Sequence, residues 1–256
     1  MSFNAPTPQS YYYSGQGRLM IGERDINGRG ISFIEIGNAT GVQIDVTNTK
    51  FEHKESLTGN RGRDLVIIKE IKASLKFTGE SLSIDNLALG LYGTSIKTTS
   101  TPVVDEPHTL TALGGIVTLN RQAVSAVIVK IGSTVVPAGD YIADTDFGTI
   151  YCSPSSAVLL AGAILLVSYT GGIVNKLDAF TVPVPTNKFI RFEGLNTVNG
   201  DRLLLEAFKC QFEPLSQIQL ITEDLANAAF TANILVDPIQ PASGSQLFRE
   251  TLIPAS

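Results

Sequence analysis

Tryptophan is absent from the 256-residue sequence, and cysteine and histidine occur only twice each. Cys152 and Cys210 are too few for a disulfide framework, and His53 and His108 are too few for a histidine-based metal site. Basic residues are also scarce, because 19 lysines and arginines against 24 aspartates and glutamates leave a formal net charge of -5. A nucleic-acid-binding protein is expected to have the opposite balance. These absences disfavour a disulfide-rich, metal-binding or nucleic-acid-reading protein.

Charge of either sign is limited to 17% of the residues, below the roughly 25% of a typical globular domain. So few charges indicate that neighbouring chains cover part of the surface. Long apolar runs are missing too: the longest, Ala157–Tyr169, is shorter than the roughly 20 residues of a membrane-spanning helix. The first 17 residues lack the apolar stretch of a signal peptide. We therefore expect synthesis in a reducing compartment and two free cysteines.

Alternation of apolar and polar residues, typical of half-buried strands, recurs along most of the chain. It is clearest in the segments Val42–Thr47, Leu65–Phe77, Leu204–Phe212 and Phe230–Val236. One helix is indicated at Asp85–Gly93, where a capping residue precedes apolar residues at helical spacing and a glycine follows them. The sequence therefore predicts a mainly β fold, an antiparallel β-sandwich or half-barrel with one flanking helix.

A shift in composition marks an insertion between residues 100 and 178. This stretch has three basic and six acidic residues and many short runs of valine, isoleucine and leucine. It is long enough for a small β-sandwich with its own core, inserted into a surface hairpin. We predict four parts: an N-terminal arm at 1–17, a β domain at 18–99 and 179–238, an inserted β-sandwich at 100–178, and a C-terminal arm at 239–256.

The segment Asn48–Asp64 has a charged fraction more than twice that of the whole chain. We interpret it as a loop, longer than compact domains usually keep unless it has a function. One interpretation is a solvated hairpin tip. The other is a contact arm whose alternating charges pair with complementary charges on another subunit. Its candidate contact residues are Lys50, Glu52, His53, Lys54, Glu55, Arg61, Arg63 and Asp64.

Several segments in succession resemble the major tail tube proteins of long-tailed (siphovirus-like) bacteriophages. They are Gly37-Asn38, the strand Val42–Thr47, the charged segment Glu52–Gly59, the strand Lys72–Phe77 and the Asn-Leu-Ala helix Asn86–Gly93. The resemblance covers residues 30–93 well and residues 188–238 more loosely.

This resemblance implies a structural virion protein. Tail tube subunits form hexameric rings in which strands of all subunits join an inner β-barrel, and the rings stack into a hollow conduit for genome ejection. It implies that Asn48–Asp64 is the inter-ring stacking loop and that the two arms become ordered on assembly. The resemblance does not extend to the insertion, but many tube proteins carry an extra immunoglobulin-like module, and we expect the insertion to be one. The implied partners are further copies of the chain, with tape-measure, tail terminator and distal tail proteins. The implied location is the virion tail, after assembly in the host bacterial cytoplasm.

Polar faces of the candidate inner strands supply the residues expected to face the lumen: Asp45, Glu70, Lys72, Lys209 and Glu213. Because these residues mix both signs, the sequence itself predicts no acidic lumen. DNA is expected only to pass through.

Motifs for catalysis are hard to find, since GxSxG, CxxC and HExxH are all absent. The spacing of Asp140, Asp144 and Asp146 is partly that of a calcium loop, but turn residues are the favoured interpretation. We predict no enzyme, cofactor or metal. Two other classes stay open: a β-rich receptor- or glycan-binding module or adhesin, and a hydrolase that uses carboxylates such as Glu206 and Glu213. Contractile-tail and secretion-system tubes are neighbouring structural alternatives.

Overall fold

The computed structural model describes residues 12–57, 59–182 and 186–255. It divides the chain into two compact units. The first unit consists of the chain up to Thr94 together with the chain from Ala179, and the second is Ser95–Asp178. The second unit therefore begins five residues before the boundary expected at residue 100, because a short strand at its entry pairs with a strand at its exit.

Seventeen strands and one helix are present in the described residues. Before the insertion they are β1 (Gly15–Arg24), β2 (Gly30–Glu35), β3 (Ala39–Lys54), β4 (Arg63–Gly79) and α1 (Ile84–Gly90). The insertion contains β5 (Thr94–Lys97), β6 (Thr101–Thr109), β7 (Ile116–Thr118), β8 (Ser125–Ile131), β9 (Thr134–Val135), β10 (Tyr141–Asp144), β11 (Thr149–Cys152), β12 (Ile164–Gly171) and β13 (Asn175–Asp178). After it come β14 (Lys188–Asn196), β15 (Arg202–Phe212), β16 (Ala228–Ile234) and β17 (Phe248–Ile253).

The first unit is built on one antiparallel sheet of eight strands. Their order is β2-β1-β14-β15-β16-β4-β3, and β17 pairs with β15 outside this path. Both β17 and β16 pair with β15, β17 along Arg202–Ala207 and β16 along Cys210–Phe212. The predicted mainly β, antiparallel character is thus confirmed.

Alternation places one face of this sheet in a hydrophobic core. Leu75, Phe77, Phe212 and Phe230 all lie in it and are nearly inaccessible to solvent. The rings of Phe77 and Phe230 stack with their centroids 5.0 Å apart, and Phe212 meets both edge-on. These inward positions belong to three of the four segments that the sequence pattern singles out.

The flanking helix α1 is shorter than predicted and begins earlier. Its N-cap is Ser83, whose hydroxyl accepts a hydrogen bond from the Asn86 amide, and its last residue is Gly90. The buried Asn86 side chain donates to the carbonyls of Ile36 and Ser81, at 2.8 Å each, and so fixes the helix to the preceding loops. A side chain at Gly90 would collide with Leu215, which explains the glycine at the helix end.

The second unit contains two further antiparallel sheets, ordered β6-β12-β8-β9 and β10-β11-β7. Both contribute to one core: Val129 and Leu165 from the first sheet and Val117 and Ile150 from the second. The strands β5 and β13 form a separate two-stranded ladder at the entry and exit of the unit.

The predicted chain arms are wrong where the structure describes them. Gly15–Gly17 is the start of β1 and pairs with the end of β14, and β17 lies inside the predicted C-terminal arm. Both additions follow from main-chain pairing with sheet strands, which needs little apolar alternation in the added segment. Gly17 is required there, because a Cβ atom would lie 2.3 Å from the carbonyl oxygen of Glu193. Residues 1–11 of the predicted N-terminal arm lie outside the described residues.

Candidate assembly surfaces

The predicted loop Asn48–Asp64 is mostly a β-hairpin. β3 continues to Lys54 and β4 begins at Arg63, so only residues 55–62 connect the strands. The prediction of a loop was wrong because the charges that suggested it lie on two paired strands. We call the outer hairpin, from Asn48 to its pairing partner Ile71, the arm.

Charged side chains of the arm bridge its two strands. Nη1 of Arg63 donates to Oε1 of Glu52 at 2.6 Å, and Nδ1 of His53 lies 2.7 Å from Oδ1 of Asp64. Lys50 and Lys54 belong to β3, and Glu55 and Arg61 lie in the connection, where the Leu57 amide donates to Glu55. All eight candidate contact residues therefore lie on the arm, whereas Thr58 is outside the described residues.

The arm also exposes a run of four apolar residues, Leu65, Val66, Ile67 and Ile68. Each of these side chains is between 46% and 55% exposed. Pairing puts Leu65 and Ile67 on one face of the hairpin and Val66 and Ile68 on the other. This is the feature that interpretation of the charges missed. A signal was available, since consecutive apolar residues without alternation are typical of a strand covered on both faces.

Such a hairpin has little support in an isolated chain. A two-stranded ribbon is at best marginally stable in water, and here neither face is covered by the described residues. Phe51 adds a further exposed ring, over which the Lys69 ammonium lies 5.1 Å from the centroid. Bulges at Thr49/Lys50 and His53/Lys54 increase the twist. The arm thus offers two apolar faces for a partner.

The five residues expected to face a lumen share one face of the large sheet. The registers of β3, β4, β15 and β16 place them opposite the core. Nζ of Lys76 lies 2.6 Å from Oδ2 of Asp45, and Lys72 lies 3.4 Å from Glu70. The Asn233 amide donates to Glu213 at 2.9 Å. The face is therefore polar with largely compensated charge, and Lys209 also lies on it.

The same polar face continues across β15, β14 and β1 as a ladder of alternating charges. Arg18 contacts Glu193 at 2.8 Å, and Arg191 contacts both Glu193 at 2.8 Å and Glu206 at 3.0 Å. Hydrogen bonds from Arg191 and Arg18 lower the pKa of Glu193. Three members of the ladder, Arg18, Arg191 and Glu193, line a groove of about 650 Å³ together with Arg202.

Geometry argues against the carboxylate pair considered for a hydrolase. Glu206 lies on β15 and Glu213 directly follows this strand. Seven residues of extended chain separate their Cα atoms by about 20 Å. Paired catalytic carboxylates of glycosidases are within about 10 Å. Glu206 is ion-paired with Arg191, so it has a structural role in the sheet.

In the described residues, each of three strands of the first unit has one edge that pairs with no other strand. β2 and β3 are the two ends of the sheet order, and β17 pairs only with β15. Free edges favour pairing with another chain. The two ends of the same sheet are thus available to neighbouring copies.

A family model described as "Protein of unknown function UCP028589" matches residues 12–250. The chain belongs to this UCP028589 family. The matched range includes the arm and both compact units. A comparison with curated proteins found no match.

In the part of this UCP028589 protein that the structure describes, α1 is the only helix and is too short to span a membrane. The same residues contain no cluster of histidine, cysteine and acidic side chains able to hold a metal. Cys152 and Cys210 are fully buried, and burial raises the pKa of the Cys210 thiol to about 12. Asp144 accepts hydrogen bonds from the amides of Asp146 and Phe147, as a turn residue does.

Proposed function

We propose that this chain is a tail tube subunit of a long-tailed bacteriophage, a structural virion protein that forms stacked hexameric rings around a conduit for genome ejection. The arm is the observation that carries the proposal. Covering Leu65, Val66, Ile67 and Ile68 would contribute on the order of 1 kcal/mol for each half-exposed side chain. Because both faces of the arm expose apolar side chains, the partner surface must contact both of these faces.

The sheet edges support the ring. A copy whose β2 lies beside β3 of its neighbour satisfies both open edges, and a rotation that closes generates a ring. The number of six subunits in each ring comes from the tail tube resemblance. In this arrangement the arm, which extends along the strand direction, is free to reach the next ring.

The polar face suits a lumen for DNA. Most of its charges are paired within the subunit, as in Lys76 with Asp45 and Arg191 with Glu206. Paired charges produce a weak field beyond a few ångströms, so DNA would be neither held nor strongly repelled. By the same resemblance, tape-measure, tail terminator and distal tail proteins are the proposed partners, the virion tail is the proposed location, and the second unit is an immunoglobulin-like module.

Electron microscopy tests the proposal directly. Negatively stained samples of the purified chain at high concentration should show rings or hollow tubes. A matched variant replaces Lys50–Lys69 by Asn-Gly, which joins the paired residues Thr49 and Glu70 through a two-residue turn. It should stay folded and form no tubes. Dispersed monomers of the wild-type chain at every concentration, confirmed by solution scattering, would overturn the proposal.

A receptor- or glycan-binding module is the second candidate, favoured by one surface of the second unit. Ile116, Tyr151 and Ile142 are aligned across β7, β11 and β10, with their side chains exposed. An apolar row centred on an aromatic ring is typical of a binding surface. A monomeric chain that loses receptor or glycan binding on Tyr151→Ser would favour this candidate over the tube.

A further inference from the structure

The connection between β15 and β16 exposes a second set of apolar side chains. We call residues 216–227 the acidic loop. Leu220, Ile221 and Leu225 are 89%, 98% and 81% exposed, so the loop leaves them almost wholly in water. The loop's only charged residues are Glu223 and Asp224. It therefore combines apolar contact area with negative charge.

The arm has the complementary composition. From Asn48 to Ile71 it has five basic and four acidic residues, on a chain whose net charge is -5. Within the described residues, Lys50, Lys54 and Arg61 form no ion pair, and neither do Glu223 and Asp224 of the acidic loop. Each surface thus presents exposed apolar side chains beside charges that have no ion-pair partner in the described part of the subunit, and the two surfaces have opposite signs.

The two surfaces cannot meet within one copy. Ala228, the residue after the acidic loop, pairs with Gly79 at the end of β4. The arm lies at the other end of the same strand, and Val66 precedes Gly79 by 13 residues. At about 3.3 Å per residue this is a separation of about 40 Å. Head-to-tail stacking of copies brings such opposite ends together.

We propose that the acidic loop is the docking site for the arm of the next copy along the tube. Leu220, Ile221 and Leu225 cover apolar side chains of the incoming arm. Glu223 and Asp224 then pair with the basic group Lys50, Lys54 and Arg61. The inference rests on the proposed tube and identifies the surface that the arm contacts there.

Cysteine cross-linking tests the contact, because both native cysteines are fully buried. Chains carrying Ile221→Cys are mixed with chains carrying Ile67→Cys, allowed to assemble and oxidised. We expect a disulfide-linked dimer on a non-reducing gel. The matched control, Ile221→Cys with the exposed second-unit variant Ile142→Cys, should give at least ten times less dimer. Equal yields would overturn the docking site.

Charge reversal gives an independent readout. Glu223→Lys with Asp224→Lys should reduce the mass of tubes at least tenfold, and adding Lys54→Glu with Arg61→Glu should restore it. Tubes that form without a specific cross-link would contradict the docking site and leave the proposed function intact. A specific cross-link without tubes would support the docking and contradict the tube. A wild-type chain that never associates would overturn both.

Discussion

Arg24 and Asp237 form an ion pair inside the first unit, with Nη2 of the arginine 2.8 Å from Oδ2 of the aspartate. The aspartate side chain is 1% exposed, and the pair connects the end of β1 with the segment after β16. The geometry is that of a charge contact, since Nε and Nη2 of Arg24 make no hydrogen bond. The Asp237 amide donates to the Gln246 carbonyl at 2.9 Å, and its carboxylate accepts longer hydrogen bonds, at 3.4 Å each, from the Ile239 amide and the Gln240 side chain.

Removing the carboxylate should therefore destabilise the first unit strongly. We expect Asp237→Ala to lower the free energy of unfolding by about 3–5 kcal/mol, because it leaves a buried guanidinium without a counter-charge. Urea unfolding measures the change. The double variant Arg24→Met with Asp237→Leu is the control and should cost much less. If both variants were equally unstable, the contact would be a matter of packing rather than charge.

Acid should destabilise the second unit through Glu106. This buried carboxylate accepts hydrogen bonds from the His108 ring at 2.6 Å, from the Asn120 amide at 3.0 Å and from the Tyr169 phenol. Burial alone would raise its pKa, but these hydrogen bonds outweigh burial and lower the pKa below its ordinary value of 4.5. A lowered pKa in the folded state stabilises the unit above pH 4.5, and this stabilisation is lost as pH falls through the folded pKa.

Calorimetry from pH 7 to pH 3 checks this prediction. One unfolding transition should fall in midpoint below about pH 4.5 in the wild type, whereas Glu106→Gln should flatten this acid dependence. At pH 7 the variant should cost about 1–3 kcal/mol, because it weakens hydrogen bonds to a charged acceptor. Unchanged acid dependence in Glu106→Gln would show that another group controls it.

The Tyr169 phenol should add an alkaline dependence to the stability of the same unit. Burial and Glu106 raise the pKa of Tyr169 to about 12. The contribution of Tyr169 to stability should be lost between pH 10 and 12 and should be absent in Tyr169→Phe.

Apolar alternation predicted the strands β3, β4, β15 and β16, but it could not show what covers them. In β4 the odd positions Ala73, Leu75 and Phe77 are buried, as the alternation predicts. The odd positions Leu65, Ile67 and Ile71 follow the same pattern and are exposed. Period-two alternation shows that one face of a strand is apolar. It does not show whether the same chain or another chain covers that face. Alternation alone therefore does not distinguish a strand covered by a partner from a strand of the core.

The charge pattern of the hairpin led to a wrong prediction, whereas the apolar alternation did not. Glu52 and Arg63 made their segment resemble a solvated loop, yet they pair across a hairpin. The strand β17 had no predictive signal, because its stability comes from main-chain pairing with β15 rather than from an apolar face of its own. The common polar face of the five candidate lumen residues was predictable, because register follows from the alternation.

Removal of the second unit should leave the first folded and able to assemble. The chain ends that flank it are held together inside the first unit: the Phe180 amide donates to the Leu91 carbonyl at 2.8 Å, and the hydroxyls of Thr94 and Thr181 lie 2.7 Å apart. We expect a chain with Thr94 joined to Ala179 through Gly-Ser to keep cooperative unfolding and tube formation. Circular dichroism and electron microscopy measure both. An unfolded product would show that the first unit depends on the second.

Substitutions on the arm should separate assembly from stability. Val66→Thr with Ile68→Thr keeps β-branched side chains, so strand preference is preserved while one apolar face becomes polar. Because both side chains are about half exposed in the single copy, the free energy of unfolding should change by less than about 1 kcal/mol. Assembly buries them, so losing about 1 kcal/mol at each site should raise the concentration needed for tubes at least about tenfold.

The buried counterpart on the same strand is the control for this separation. Leu75 is fully buried, and Leu75→Ala should lower the free energy of unfolding by about 2–5 kcal/mol, so it weakens assembly only by depleting folded subunits. Unfolding curves and sedimentation, measured on the same samples, distinguish the two effects. Tubes of the threonine variant at the wild-type concentration would mean that the Val66 and Ile68 face stays in water in the assembly. The apolar run of the arm would then need an explanation other than contact between copies.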